Sequence, residues 1–119
     1  MSNQSFVSAI RNATFVGDDN KKVSGNHGCK VVLNLTAVPG VDTVQPIIEG
    51  KDRISGAYYT ILQGAAQPTA GTYVLTVLPG IAVTANASAS DSLPDTYRVR
   101  VVHSAASNFT YSVSIDELQ

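Results

Sequence analysis

The stretch Thr96-Tyr97-Arg98-Val99-Arg100-Val101-Val102-His103, followed after Ser104-Ala105-Ala106-Ser107-Asn108 by Phe109-Thr110-Tyr111-Ser112-Val113-Ser114-Ile115, decides the fold class. Tyr97, Val99 and Val101 fall on one side of an extended chain, with Arg98 and Arg100 on the other. Phe109, Tyr111, Val113 and Ile115 alternate in the same way with Thr110, Ser112 and Ser114. Side chains of a strand point alternately to its two faces, so each segment reads as a strand with one buried face. Joined by a short run of small polar residues, the two predict an antiparallel hairpin. Its apolar side requires a second layer of structure to cover it.

The rest of the chain offers that layer. Val31, Leu33, Leu35 and Ala37 share one face of the run from Cys29 to Val38, opposite Val32, Asn34 and Thr36, and Pro39-Gly40 ends the run. From Thr43 to Gly50 a second strand carries Val44, Ile47 and Ile48, and Pro46, which cannot donate to a ladder, predicts an edge or bulged strand. Asp52 and Gly56 bracket a turn before Ala57–Leu62, in which Tyr59 and Ile61 oppose Tyr58, Thr60 and Leu62. Gly64 to Gly71 reads as a loop. Thr72–Leu78 sets Tyr73, Leu75 and Val77 on one face and stops at Pro79-Gly80. The small residues between Ile81 and Pro94 predict a crossover with a strand only at its start. No helical period persists beyond one turn, so the fold class is all-β, an immunoglobulin-like antiparallel β-sandwich with a small β-barrel as the alternative. Residues 27–119 form the sandwich domain. Residues 1–26 read as an N-terminal arm or weak strands, with an exposed turn at Gly17–Lys22.

At 119 residues the chain has the length of one domain, able to bury about two-thirds of its unfolded surface. Eight basic residues against nine acidic ones give a net charge of −1, which supplies no field for nucleic acid or an anionic membrane. Charged residues are only 14% of the chain. Such a surface repels neighbours weakly and is covered by protein at little desolvation cost, which suits an assembly subunit or an exported β-domain. The single cysteine, Cys29, excludes an internal disulfide and reads as a small core residue. The N-terminus lacks a signal-peptide pattern and no run of about 18 apolar residues occurs, so synthesis in the cytoplasm is expected.

Chemistry-bearing patterns are sparse. His27 and His103 are the only imidazoles, and no Gly-x-Ser-x-Gly, His-Glu-x-x-His or phosphate-cradling loop accompanies them. The expectation is no enzyme, no catalytic residues, no cofactor and no metal. Asp18, Asp19 and Asn20, like Asp52 and Ser55, lack the further spaced ligands of a calcium loop and read as solvated turns. The Asn-x-Ser/Thr triplets at Asn3, Asn12, Asn34, Asn86 and Asn108 follow from abundant Ser and Thr on outward positions. Among the tyrosines, Tyr59, Tyr73, Tyr97 and Tyr111 fall on inward files, leaving Tyr58 as the exposed aromatic.

The order of phrases from Gly28 to Glu117 resembles a group of small virion proteins of tailed bacteriophages. The phrases are Val31-Val32-Leu33-Asn34-Leu35-Thr36-Ala37-Val38, Ile48-Glu49-Gly50-Lys51-Asp52 with Ser55-Gly56-Ala57-Tyr58-Tyr59, Leu78-Pro79-Gly80, Leu93-Pro94-Asp95-Thr96-Tyr97-Arg98-Val99 and Phe109-Thr110-Tyr111-Ser112-Val113. The resemblance implies a β-sandwich on the capsid surface of a virion, made in the host cytoplasm, that decorates and cements the shell. Its implied partners are the major capsid protein and copies of itself, with a trimer favoured. A tail or head-tail junction component, and a displayed glycan- or receptor-binding module, are the other readings. Phe6, Val7, Ile10 and Phe15, apolar residues outside the strong strand pattern, are the candidate contacts with the capsid or with a neighbouring copy. Removal of residues 2–16 is then expected to leave a folded domain that no longer binds capsids.

Overall fold

The computed structural model describes residues 3–119, with Asn3 described by its backbone alone. Its strands are β1 (Asn3–Arg11), β2 (Phe15–Val16), β3 (Asn20–Lys21), β4 (Gly28–Ala37), β5 (Val44–Lys51), β6 (Tyr58–Gln63), β7 (Gly71–Val77), β8 (Ser88–Ala89), β9 (Thr96–His103) and β10 (Phe109–Leu118). One sheet has the order β1-β10-β4-β7-β8 and the other β2-β9-β5-β6, with β3 also paired to β9. Every pairing is antiparallel except the short one between β7 and β8. The fold is all-β, two sheets packed as a sandwich, and no helix occurs among the described residues. The two ladders do not join into a closed ring, which sets the barrel aside.

The expected hairpin between β9 and β10 is not formed. β9 lies between β5 and the short β2 and β3, whereas β10 lies between β1 and β4, in the opposite sheet. A hairpin would place both apolar files on one face of one sheet. Here residues 104–108 carry the chain from one layer to the other, and the two files face each other across the core. The Tyr97 hydroxyl donates to Glu117 Oε2 at 2.6 Å, and His103 Nε2 lies 2.8 Å from the Tyr111 hydroxyl. These contacts are six residues apart on each strand, so the two files are superposed in register. Alternation is satisfied by either arrangement, because it demands only that each strand turn one face to a core. The crossing loop is pinned to the segment before β5: Ser104 N–H donates to the Thr43 carbonyl, Thr43 N–H donates to Ser104 Oγ, and Ser107 Oγ donates to the Asp42 carboxylate.

β5 is a central strand, which overturns its expected edge position. Pro46 is tolerated because its carbonyl and its missing N–H both face the end of β6, where Gly64 N–H donates to the Pro46 carbonyl at 2.8 Å. The Gly64 carbonyl, which a Pro46 N–H would have served, accepts from Gln45 Nε2 at 2.9 Å instead. The ladder toward β9, including Pro46 opposite Val101, is undisturbed. A register shift between Ile48 and Glu49 puts a bulge into β6, so Leu62 is buried in the core and Ile61 packs against it only partly buried. At the turn between β5 and β6, Gly56 has φ +76°, the left-handed conformation expected there. Between Ile81 and Pro94 the ordered piece is β8, in the middle rather than at the start.

The buried files of β4 (Val31, Leu33, Leu35), β7 (Leu75, Val77), β9 (Val99, Val101) and β10 (Phe109, Tyr111, Val113, Ile115) meet between the layers. Each such side chain, once buried, contributes about 1.5–3 kcal/mol. The region before residue 27 flanks this core: β1 closes one sheet as its edge strand, and β2 and β3 pair with β9 at the edge of the other.

Candidate interaction surfaces

The four N-terminal apolar residues separate into two pairs. Phe6 and Phe15 pack edge-on with centroids 4.9 Å apart, Phe15 stands 6.4 Å from the Tyr111 ring, and both are partly buried against the core. The Arg11 guanidinium caps this cluster, 4.9 Å from the Phe15 centroid and 4.6 Å from that of Tyr111, and donates to the carbonyls of Val7 and Tyr111. Val7 and Ile10 are 78% and 70% exposed. A deletion of residues 2–16 would therefore strip aromatic cover from the core together with the β1 ladder. It is expected to cost at least about 3 kcal/mol, the scale of removing one large aromatic side chain, rather than to spare the fold. A thermal melt of the truncated chain checks this.

β1 is also the longest strand with a free edge. It pairs only with β10, and no strand is hydrogen-bonded beyond it among the described residues. Natural edge strands are guarded by charges, proline, bulges or brevity. β1 is nine residues long, has Arg11 as its single charge and no proline, and its one irregularity is the register shift between Phe6 and Ala9. Val7 sits in that irregularity and Ile10 opposite Thr110.

The histidines do not cooperate. His103 bonds to Tyr111, whereas His27 N–H donates to the Leu118 carbonyl, seven residues and roughly 23 Å further along β10. Burial, and then the nearby Arg11 charge, hold the His103 pKa below its ordinary 6.5. The fold thus favours neutral His103, so its contribution is complete above about pH 6.5 and is lost as pH falls through the depressed folded value. The melting-temperature gap between the parent and His103→Gln is expected to be constant from pH 8 to 7 and to shrink between pH 6.5 and 5. Cys29 is fully buried, and burial, then the Glu117 charge, raises its thiol pKa to about 12, which makes it unreactive.

The outer face of β5 and β9 carries a chain of charges. Glu49, 5% exposed, accepts from Arg98 Nε at 2.8 Å and lies 3.1 Å from Arg100 Nη2. The Arg98 guanidinium stacks on Tyr58, 3.4 Å from the ring centroid. The Tyr58 hydroxyl donates to Asp19 at 2.7 Å, and Lys51 pairs with the same carboxylate at 3.0 Å. These two donors, Tyr58 first, hold the Asp19 carboxyl below its ordinary range. Asp19 and Asp52 are both occupied, the latter by the N–H groups of Ile54 and Ser55 and the Ser55 hydroxyl. No cluster of three metal-ligating side chains occurs among the described residues.

Tyr58 is thus covered, contrary to expectation, and Tyr59 is the tyrosine with the open face. Tyr59 does lie on the inward file, opposite Gly50, but on the edge strand β6, and 47% of it is exposed. Tyr97 and Tyr111 are fully buried and Tyr73 is partly so, with its hydroxyl donating to the Thr69 carbonyl at 2.6 Å.

Sequence reading also missed Glu117. This carboxylate is 1% exposed and accepts from Val23 N–H at 2.9 Å, Asn26 Nδ2 at 3.0 Å and the Tyr97 hydroxyl at 2.6 Å. The signal was present, because Glu117 continues the inward file of Phe109, Tyr111, Val113 and Ile115 in phase. A carboxylate in an apolar file is buried with donors around it or not at all. Burial of Tyr97, and after it the carboxylate, drives the Tyr97 pKa far up, so the hydroxyl stays a donor.

No protein-family model, curated protein or solved structure matched this chain. Its function is argued from three surfaces: the free edge of β1, the paired charges outside β5 and β9, and the end of the sandwich beside Tyr59.

Proposed function

We propose that this protein is a structural subunit of a bacteriophage virion, a decoration protein that binds the outer capsid in many copies and cements the shell. The observation that carries the reading is the long, low-charge edge of β1, interrupted by a single bulge, with Val7 and Ile10 exposed along it. A long strand edge of low charge is a template for pairing with another chain. It is a surface that profits from being covered. The order of strand and turn phrases, which resembles that of small virion proteins, supports the same role, as does the low charge of the surface as a whole. The partners are the major capsid protein and further copies of this chain, a trimer being favoured. Modest contacts repeated under capsid symmetry then sum to a large resistance to internal pressure. Immunoglobulin-like kinship is proposed for the layered architecture alone. In the immunoglobulin arrangement the last two strands share a sheet, whereas β9 and β10 lie in opposite sheets.

Mass-spectrometric copy counting on purified particles tests the proposal. Hundreds of copies per particle are expected of a decoration protein. A dozen or fewer would assign the chain to the tail or the head-tail junction, and none would remove it from the virion.

A further inference from the structure

A cleft of about 730 Å³ opens at the end of the sandwich where β9 begins, between the β5–β6 turn and the segment Ser92–Asp95. This is within the range of small-ligand pockets. Its aromatic wall is Tyr59, whose ring lies across Gly50: a Cβ at that position would stand 2.5 Å from Tyr59 Cζ, so the glycine is what lets the ring lie down on the strand. The Tyr59 hydroxyl has no hydrogen-bond partner among the described residues. Ile54, 96% exposed, extends the apolar wall.

The polar lining alternates in sign. Arg53 pairs with Asp95 at 3.0 Å, Lys51 reaches across to Asp19, and Asp52 is held by its own turn. Lys22 lines the cleft and Lys21 the smaller one adjoining it, and neither has a carboxylate within ion-pair distance among the described residues. Four of the chain's eight basic residues thus meet at this end with Asp19, Asp52 and Asp95, a local surplus of one positive charge in a chain of net charge −1. The composition alone had suggested no such concentration. The fold creates it.

We propose that this cleft binds a short saccharide bearing carboxylate groups, such as a uronic acid oligomer. A sugar ring presents a face of C–H groups that stacks on an aromatic ring, and hydroxyls that both donate to carboxylates and accept from cations. The open face of Tyr59, interleaved with paired Asp, Arg and Lys side chains, offers both. Lys21 and Lys22, which have no carboxylate partner among the described residues, select an acidic chain over a neutral one. A nucleic acid strand is disfavoured, because beyond this cleft Arg98 and Arg100 are already paired with Glu49 and offer its phosphates no continuing basic track. The inference is independent of the proposed virion role, since it uses none of the residues of the β1 edge.

The test is an NMR titration of the full-length protein, labelled with ¹⁵N, against trigalacturonate, maltotriose and a thymidine oligonucleotide. Trigalacturonate is expected to give saturable shifts at Ile54, Tyr59 and Ser92–Thr96. Tyr59→Ala is expected to weaken that binding at least tenfold and Tyr59→Phe much less. Lys21→Gln with Lys22→Gln, changes at an exposed and a half-buried side chain outside the core, should erase the preference over maltotriose. Shifts that do not saturate or lie elsewhere, equal binding of maltotriose, or tighter binding of the oligonucleotide would each overturn the proposal. Undiminished binding by the lysine variant would do the same.

Discussion

Glu117→Ala is expected to destabilise the domain by about 3 kcal/mol or more, because three donors lose a charged acceptor in a site that water does not reach. Hydrogen bonds to a charged group contribute about 1.5–3 kcal/mol each, and a buried donor left without a partner costs its full desolvation. The effects do not add fully, since Tyr97, Asn26 and Val23 share one carboxylate. Against a total stability of about 5–15 kcal/mol, even the lower figure is a large fraction. The corresponding fall in melting temperature is on the order of 10 °C. Graded variants separate the parts: Tyr97→Phe removes one donor and is expected to cost about 1–2 kcal/mol. Glu117→Gln keeps the volume but turns an N–H toward a donor, and should fall between the two. Circular-dichroism melts of the three variants read the series. A Glu117→Ala protein that melts within two degrees of the parent would show that the carboxylate does not hold the loop 22–27 to the sandwich.

The second large effect concerns assembly rather than folding. Val7→Asp with Ile10→Asp is expected to leave the melting temperature nearly unchanged, because both side chains project from the edge of the domain and surface substitutions cost within about 0.5 kcal/mol. Binding to particles should fall more than tenfold. A central contact truncated in an interface costs about 2 kcal/mol or more, and each 1.4 kcal/mol is a factor of ten. Two carboxylates buried against a partner cost further desolvation, and loss repeated at every copy is amplified by the avidity that the decoration role requires. Val83→Asp, at an equally exposed apolar residue away from β1, serves as the control and should bind normally. Full occupancy by the double variant would remove β1 from the contact surface.

What the sequence made legible was the face of each strand, and what it left open was the partner. The alternation at 97–101 and 109–115 correctly separates buried from outward side chains at nearly every position, because a strand's period of two is a local property. Which sheet a strand joins is not local. A loop of five small residues closes a hairpin or crosses a layer equally well, and here the decision rests on Asp42 and Thr43, some sixty residues away in sequence, which hold Ser104 and Ser107. Pro46 misled for a related reason. The rule against proline in central strands assumes that the absent N–H faces a ladder partner, and here it faces the end of β6, where the Gln45 side chain takes over. The tyrosine error at 58 and 59 has two sources. On the outward face Arg98 and Asp19 cover Tyr58, and an inward file does not fully bury a residue on an edge strand such as β6. The β1 edge was visible as unassigned apolar residues. Phe6 and Phe15 could be told from Val7 and Ile10 only once the fold placed Phe15 beside Tyr111 and Phe6 against Phe15.

Cross-strand contacts between backbone protons, mapped by NMR, test the two-layer arrangement on which these surfaces depend. Close Hα and amide contacts are expected between β10 and β4, for example Val113 with Leu33 and Ile115 with Val31, and between β9 and β5, as at Val99 with Ile48. None is expected between the backbones of β9 and β10, while the side chains of Tyr97 and Glu117, and of His103 and Tyr111, should still be neighbours. A continuous ladder of backbone contacts joining Thr96–His103 to Phe109–Leu118 would contradict the arrangement.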